Sequence, residues 1–382
     1  MIVAIKKIYS LIKVFMFFFI TVTCLLSVSY AQRPAQKKIP DNYYLEIRSG
    51  YGFIIPHHIE LYALQTHFIS SEFSVGYLSF GKSRWEYLYH FPRVGLSLWY
   101  SGFNNSDYIG KAFALHPYIS FPLTGTTDSR LCFRLGVGVG YLTKPYHPVE
   151  NYKNIAIGSH LNAAINLKLE YQRKISDRVF FNAAADFQHF SNGSMRTPNF
   201  GLNSPGISAG FLYHPQRPNP FLKRKLLPEL YAYEFDGKKF AYTAFTFYVG
   251  IKDESFLAND RLFASAIALD VMKPVSFKHS LGIGMDITRY TPLHPDAPVL
   301  PLMKYGINGA WHMKLWLVSF DFNIGVDLFK PNTIYLGTMY EKMAFKYHFE
   351  NGMFTYFGLK ANYGRADFIT FGMGYDLKMM YY

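Results

Sequence analysis

From residue 42 onward the chain alternates apolar and polar side chains in short runs. A period of two sends successive side chains to opposite faces of a strand. The cleanest run is Leu131, Phe133, Leu135, Val137, Val139 and Tyr141, with Cys132, Arg134, Gly136, Gly138 and Gly140 on the other face. A second is Val179, Phe181, Ala183, Ala185, Phe187, His189 and Ser191. Its opposite face carries Asn182, Asp186 and Gln188, diluted by Phe180 and Ala184. Such runs predict eight strands over 42–54, 68–81, 93–103, 109–122, 129–143, 156–174, 178–191 and 205–214. Eight more are predicted over 240–252, 262–273, 279–289, 303–313, 316–329, 334–348, 353–363 and 367–381. The stretches 123–128 and 174–177 read as tight connections.

Between the two sets, residues 215–238 break the pattern with Pro215, Pro218, Pro220 and the basic run Lys223-Arg224-Lys225. This segment reads as a linker; a solvated connector is the simpler account of its charge, and phosphate binding the sharper one. The halves look related. An offset of 187 residues lays Val94-Gly95 on Leu281-Gly282 and Tyr118 on Tyr305. It also lays Phe133, Leu135, Val137, Val139 and Tyr141 on Phe320, Phe322, Ile324, Val326 and Leu328. Matched by strand order, Leu359, Ala361 and Tyr363 correspond to Phe187, His189 and Ser191, so the second copy has no nucleophile.

Dyad alternation over segments of about ten residues is the pattern of a transmembrane β-barrel. Composition strengthens that reading against a secreted β-sandwich. Phe (36), Tyr (31) and Trp (4) are abundant while charged residues are only 17%, and no stretch after the N-terminal segment approaches 18 apolar residues. The expected fold is all-β: an antiparallel up-and-down outer-membrane barrel of about 16 strands, with two linked eight-stranded barrels as the alternative. One closed barrel is favoured because the apolar last run, Phe371 to Tyr381, supplies a closing strand; unpaired, it would be an aggregation-prone edge.

The first 31 residues read as an export signal: Lys6, Lys7 and Lys13, an apolar core from Val14 to Leu26, then Ser29-Tyr30-Ala31. Cys24 lies within it, which leaves Cys132 without an internal disulfide partner. Subtracting the three signal lysines lowers the net charge from +13 to +10. That charge suits anionic lipid or phosphate. No basic helix or compact motif supports nucleic acid as a partner.

The chemistry collects at the end of the seventh run. Residues two apart on a strand are about 6.6 Å apart along it, so His189 and Ser191 can meet as base and nucleophile on one apolar face. Asn203 begins the next run, whose alternates Pro205, Ile207, Ala209, Phe211 and Tyr213 are mostly apolar, and shares that outward parity. It is a candidate third member that orients the imidazole. Asn192, the amide of Gly193 and Asn199 are candidate oxyanion donors; the asparagines could equally satisfy turn backbone. His57-His58 and His67 lack a clear metal-ligand spacing, and neither metal nor cofactor is expected. Asn192-Gly193-Ser194 also fits a glycosylation sequon, of little weight in a bacterial barrel.

The segment His189-Phe190-Ser191-Asn192-Gly193, with Pro198-Asn199 and Gly201-Leu202-Asn203-Ser204, resembles the lipid A 3-O-deacylase (PagL) family of outer-membrane acyl hydrolases. The resemblance extends through the strand pattern over about 32–215. It implies an eight-stranded barrel that hydrolyses the ester at position 3 of lipid A without metal, with Ser191 as nucleophile and His189 as base. The implied partners are lipopolysaccharide lipid A and outer-membrane lipid, with homodimerisation left open. The chain departs from the family twice: Asn203 stands where the family has an acid, and a second half follows. With the N-terminus in the periplasm, the seventh strand runs outward and 192–204 becomes an extracellular loop beside the lipopolysaccharide leaflet. The competing expectation is a non-enzymatic channel or lipid-binding barrel derived from such a hydrolase.

Overall fold

The computed structural model describes residues 42–79, 83–105, 107–126, 128–215, 240–255, 260–292, 302–329 and 338–380. The export signal, and all of the proline-rich linker except Pro215, lie outside the described residues. The first eight strands are β1 (Tyr43–Phe53), β2 (His67–Leu78), β3 (Arg93–Phe103), β4 (Lys111–Gly125), β5 (Ser129–Leu142), β6 (Leu161–Lys174), β7 (Val179–Ser191) and β8 (Leu202–Tyr213). The second eight are β9 (Phe240–Ser255), β10 (Asp260–Pro274), β11 (His279–Pro292), β12 (Leu302–Leu315), β13 (Val318–Phe329), β14 (Met339–His348), β15 (Met353–Asn362) and β16 (Arg365–Met380). A 3-10 turn, Ile59–Leu64, and a short helix, Arg84–Leu88, are the helical elements among the described residues.

Each expected strand is present, but a single barrel of about 16 strands does not form. The chain closes two barrels of eight strands each. β8 turns back onto β1, from Leu45 opposite Tyr213 to Gly52 opposite Gly206. β16 likewise closes on β9, from Phe371 opposite Val249 to Met380 opposite Phe240. The physical reason lies in the inward side chains. Eight strands enclose a space that side chains can just fill, whereas sixteen leave an aqueous channel. The inward positions here are large and charged or aromatic, and they pack over glycines on nearby strands. A methyl group on Gly76 would lie 2.2 Å from the Tyr44 ring, and one on Gly140 would lie 2.5 Å from Phe190. In the second barrel, Gly325 faces Tyr340 and Gly374 faces Phe354 in the same way.

An ion network fills the first lumen. Arg134 bonds Glu46 at 2.5 Å and Glu72 at 3.1 Å. Arg48 bonds Glu46 at 2.7 Å and Glu170 at 2.6 Å, and Arg93 bonds Glu170 at 2.9 Å. Lys168 joins Glu72 at 2.8 Å to Asp186 at 2.9 Å. Arg93 and Arg134 are 1% exposed, so this lumen is a packed core rather than a pore. The second barrel repeats the principle with other residues: Asp286 takes Lys342 and Lys360 at 3.2 and 3.0 Å, and Lys252 pairs with Asp367 at 2.7 Å.

The outer faces are apolar. Ile47, Leu96, Leu98, Leu115, Leu169 and Ile207 form an exposed aliphatic band on the first barrel. Tyr43, Tyr77, Tyr171 and Tyr213 lie at one rim, and Tyr51, Phe53, Tyr100, Phe113 and Tyr141 at the other. Water would not tolerate so much contiguous apolar surface; a bilayer with aromatic girdles at its two interfaces would.

Two local expectations differ from the structure. β6 begins at Leu161 rather than 156. Residues 156–160 instead belong to a loop held by Tyr146 N to Ile157 O (2.7 Å) and Gly201 N to Ala156 O (2.9 Å). Ala156 and Ile157 join Leu61, Leu64, Ile109, Trp99 and Phe190 in an apolar cluster that roofs the lumen. The 187-residue offset keeps outward parity for Phe133 and Phe320, yet Tyr118 faces the lumen while Tyr305 is 40% exposed on the outside. Irregular pairing at Pro122/Thr124, between Tyr118 and Phe133, breaks the equivalence there.

Because Glu170 accepts from both Arg48 and Arg93, Glu170→Ala strands the buried Arg93 guanidinium and leaves Arg48 with Glu46 alone. The expected cost is about 3–5 kcal/mol, read as a lowered unfolding midpoint of the detergent-solubilised protein. Ile207→Ala, on the lipid-side face, serves as the mild reference. Equal midpoints for the two variants would show that the network does not hold the barrel.

Candidate active site

β7 delivers His189 and Ser191 to its outer face at one rim, while Gln188 and Phe190 point inward and are buried. Antiparallel register then decides what His189 meets. Its direct partner on β8 is Asn203, and the two side chains join through His189 Nδ1 and Asn203 Oδ1 at 2.6 Å. An amide oxygen only accepts, so Nδ1 carries the imidazole proton and Nε2 holds a lone pair. That is the tautomer a general base requires. Gly201, at φ +82°, makes room for the ring: a Cβ there would lie 2.9 Å from His189 Cε1.

Ser191 Oγ accepts two hydrogen bonds, from Gly193 N at 3.2 Å and from Asn199 Nδ2 at 2.9 Å. Both donors are fixed by their surroundings. Asn199 turns its Nδ2 toward Ser191 because its Oδ1 accepts from Asn192 N at 3.0 Å. The other expected donor, Asn192, has its side chain spent on the loop. Its Nδ2 donates to Ser159 Oγ at 3.0 Å and Arg196 O at 2.8 Å, and its Oδ1 accepts from Arg196 N at 3.3 Å. With both acceptor sites of Oγ occupied, its own proton is free to be donated. Among the described residues Ser191 makes no hydrogen bond to His189; the two share a face and a rim.

The loop after β7 needs left-handed backbone at Gly193 (φ +60°) and Ser194 (φ +62°). Glycine meets the first requirement without steric cost. It also meets a packing requirement from the second barrel. A Cβ on Gly193 would lie 2.4 Å from Ile369 Cγ1 and 3.4 Å from Leu359 Cδ1. Further bonds tie the loop to β9 and β16. Ser194 Oγ donates to Ala366 O and Asp253 N to Ser194 O, both at 2.8 Å. Thr197 N donates to Asp253 Oδ2 at 3.2 Å, while Arg261 Nε holds Asp253 Oδ1 at 2.8 Å. At the other end of the barrels, Tyr89 OH donates to Lys314 O at 2.9 Å and Lys278 Nζ to Leu88 O at 3.2 Å. The barrels therefore touch at both rims, and the second one grips the loop that carries the site.

His57, Ser159 and Asp253 are the neighbours that sequence reasoning missed. In the sequence His57 lies between two predicted strands and lacks a metal-ligand spacing. Its Nδ1 lies 3.1 Å from Asn203 Nδ2, and its Nε2 lies 2.9 Å from Phe200 O. No local pattern marks any of the three, because each reaches the site across a long sequence separation.

Two family models match the chain. Lipid A 3-O-deacylase (PagL) covers residues 71–211, and the C-terminal domain of acyloxyacyl hydrolase covers 241–379. The boundary between the matches falls where the first barrel gives way to the second. No curated protein matches. Among solved structures, the outer-membrane enzyme PagL aligns at 11% identity and a TM-score of 0.30, over 44% of this chain and 97% of its own. Neisserial surface protein A aligns at 11% identity and a TM-score of 0.29, over 45% of this chain and 96% of its own. By these two successive matches, one to each barrel, the chain resembles the lipid A 3-O-deacylase (PagL) family.

Proposed function

We propose that the protein is an outer-membrane serine esterase that removes the 3-linked acyl chain from the lipid A of lipopolysaccharide. The observation that carries this reading is the His189–Asn203 bond, which leaves Nε2 unprotonated on the same outward face as Ser191. Ser191 Oγ attacks the ester carbonyl carbon while its proton passes to His189 Nε2. The carbonyl electrons move onto oxygen, where Gly193 N and Asn199 Nδ2, already directed at Oγ, can stabilise the charge. As the carbon–oxygen bond to the sugar breaks, His189 returns the proton to the departing alkoxide. Water, activated by the same imidazole, then hydrolyses the acyl-serine. Asn192 acts here through its backbone, by orienting Asn199. The reaction needs no redox partner and draws on no metal.

The apolar outer surface suits a substrate whose acyl chains lie in the bilayer. An N-terminus in the periplasm sends β7 outward and sets the loop after it at the outer leaflet, where lipopolysaccharide resides. The packed lumen of each barrel speaks against the channel alternative. The description of the second family model, acyloxyacyl hydrolase, motivates one further reading: the ester cut is the secondary one, between an acyl chain and the hydroxyl of another.

Mass spectrometry of lipid A from cells producing the wild type and Ser191→Ala tests the activity. The wild type should release one acyl chain, whose identity distinguishes the 3-linked from the acyloxyacyl ester. Ser191→Ala should lower the rate by about 10^4-fold or more. Identical acylation in both strains would sink the proposal.

The grip of the second barrel yields its own expectation. A hydrogen bond to a charged acceptor is worth about 1.5–3 kcal/mol, so Asp253→Ala should loosen residues 192–200. Their amide hydrogen exchange should quicken and kcat should fall by about tenfold. Unchanged exchange at Thr197 would show that the clamp is idle.

A further inference from the structure

The departure at position 203 raises a problem that a carboxylate would not. Both oxygens of a carboxylate accept, so an acid accepts from His189 Nδ1–H whichever oxygen faces the ring. An amide has two unlike ends. Turned one way, Asn203 offers Oδ1 and holds the imidazole proton on Nδ1. Turned the other way, it offers Nδ2–H, Nδ1 must accept, and the proton moves to Nε2. The ring is then useless as a base toward Ser191.

The neighbours of Asn203 decide between these states. His57 Nε2 faces the Phe200 carbonyl at 2.9 Å, and a carbonyl only accepts, so Nε2 carries the proton of His57. Its Nδ1 is left with a lone pair, and this faces Asn203 Nδ2 at 3.1 Å. Flipping the amide would set Oδ1 against that lone pair, two acceptors with no proton between them. The unflipped amide makes both bonds. Proton positions thus run in one direction: Phe200 O accepts from His57, His57 from Asn203, and Asn203 from His189.

Position 57 is itself held. Ile54 N donates to Thr66 O and Ile55 N to Asn203 O, both at 2.9 Å. The His58 ring packs on His57 at 4.8 Å between centroids and on Phe200 at 4.9 Å. The segment after β1 is therefore anchored to the same β8 residue that its histidine orients.

We infer that His57 is a positioning residue that sets the Asn203 amide, and through it the base tautomer of His189, so that an amide can serve where the family has an acid. The inference rests on the serine-esterase reading and deepens it.

The test uses the full-length protein in detergent and a fluorophosphonate probe. Ser191 Oγ attacks phosphorus, fluoride departs and His189 takes the proton, so labelling depends on the base without needing lipid A. The labelled residue is identified by peptide mass spectrometry, and lipid A deacylation is measured in parallel. His57→Ala should slow labelling, and kcat for deacylation, by about tenfold or more, with KM little changed. In an Asn203→Glu background the same His57→Ala change should cost less than about twofold, because a carboxylate needs no orienting partner. Equal losses in the two backgrounds would reduce His57 to a structural role and overturn the inference, as would no loss beside Asn203. Should Asn203→Glu fail to fold, His57→Gln decides: its side-chain oxygen can accept from Asn203, so it should outpace His57→Ala, and parity between them refutes the relay. A wild type that labels at Ser191 yet leaves lipid A intact removes the substrate reading alone. A wild type that Ser191→Ala matches in labelling removes the nucleophile, and the relay with it.

Discussion

Everything outside the first barrel's lumen depends on the charges sealed inside it. Glu170 accepts from Arg48 and Arg93, and Arg134 spans Glu46 and Glu72. Ions removed from water are tolerable only when nearly every one is paired. The pairing draws on β1, β2, β3, β5 and β6, and it is complete only when those strands curl around a common axis. That closes the wall at eight strands, brings β8 onto β1, and fixes the outer surface on which the site is built.

With the wall fixed, the site is a matter of register and of loop bonding. Pairing of β7 with β8 sets His189 opposite Asn203. Asn192, Asn199 and Gly193 then use the turn to aim two donors at Ser191 Oγ. A strand supplies rigid placement and a short loop supplies donors. The second barrel adds a steric wall at Ile369 and a bonded grip through Asp253 and Ala366. Ala361 stands on its seventh strand where strand order would put His189.

Much of this was legible in advance because a strand's two faces are recorded in its residues. Alternation located all sixteen strands to within a few residues, and it gave His189, Ser191 and Asn203 a common outward face. It could not say whether β8 pairs with β1 or β9, since either choice preserves inside and outside. The offset comparison failed at Tyr118 and Tyr305 for a related reason: one irregular residue reverses parity, and a matched pair of tyrosines does not reveal it. The apolar Ala156 and Ile157 read as strand in the sequence, yet they bury into the roof of the lumen in a loop.

By itself the sequence determined the strand count, the inward and outward faces, and the common face of His189, Ser191 and Asn203, because those properties are local and periodic. Only the tertiary structure decided that eight strands close rather than sixteen, because closure depends on how large inward side chains and buried charges fill a shared space. It alone set Asn203 opposite His189, brought His57 to the far side of that amide, and laid Ile369 against Gly193. Those contacts join residues distant in the chain, and their distances exist only once the barrels have closed.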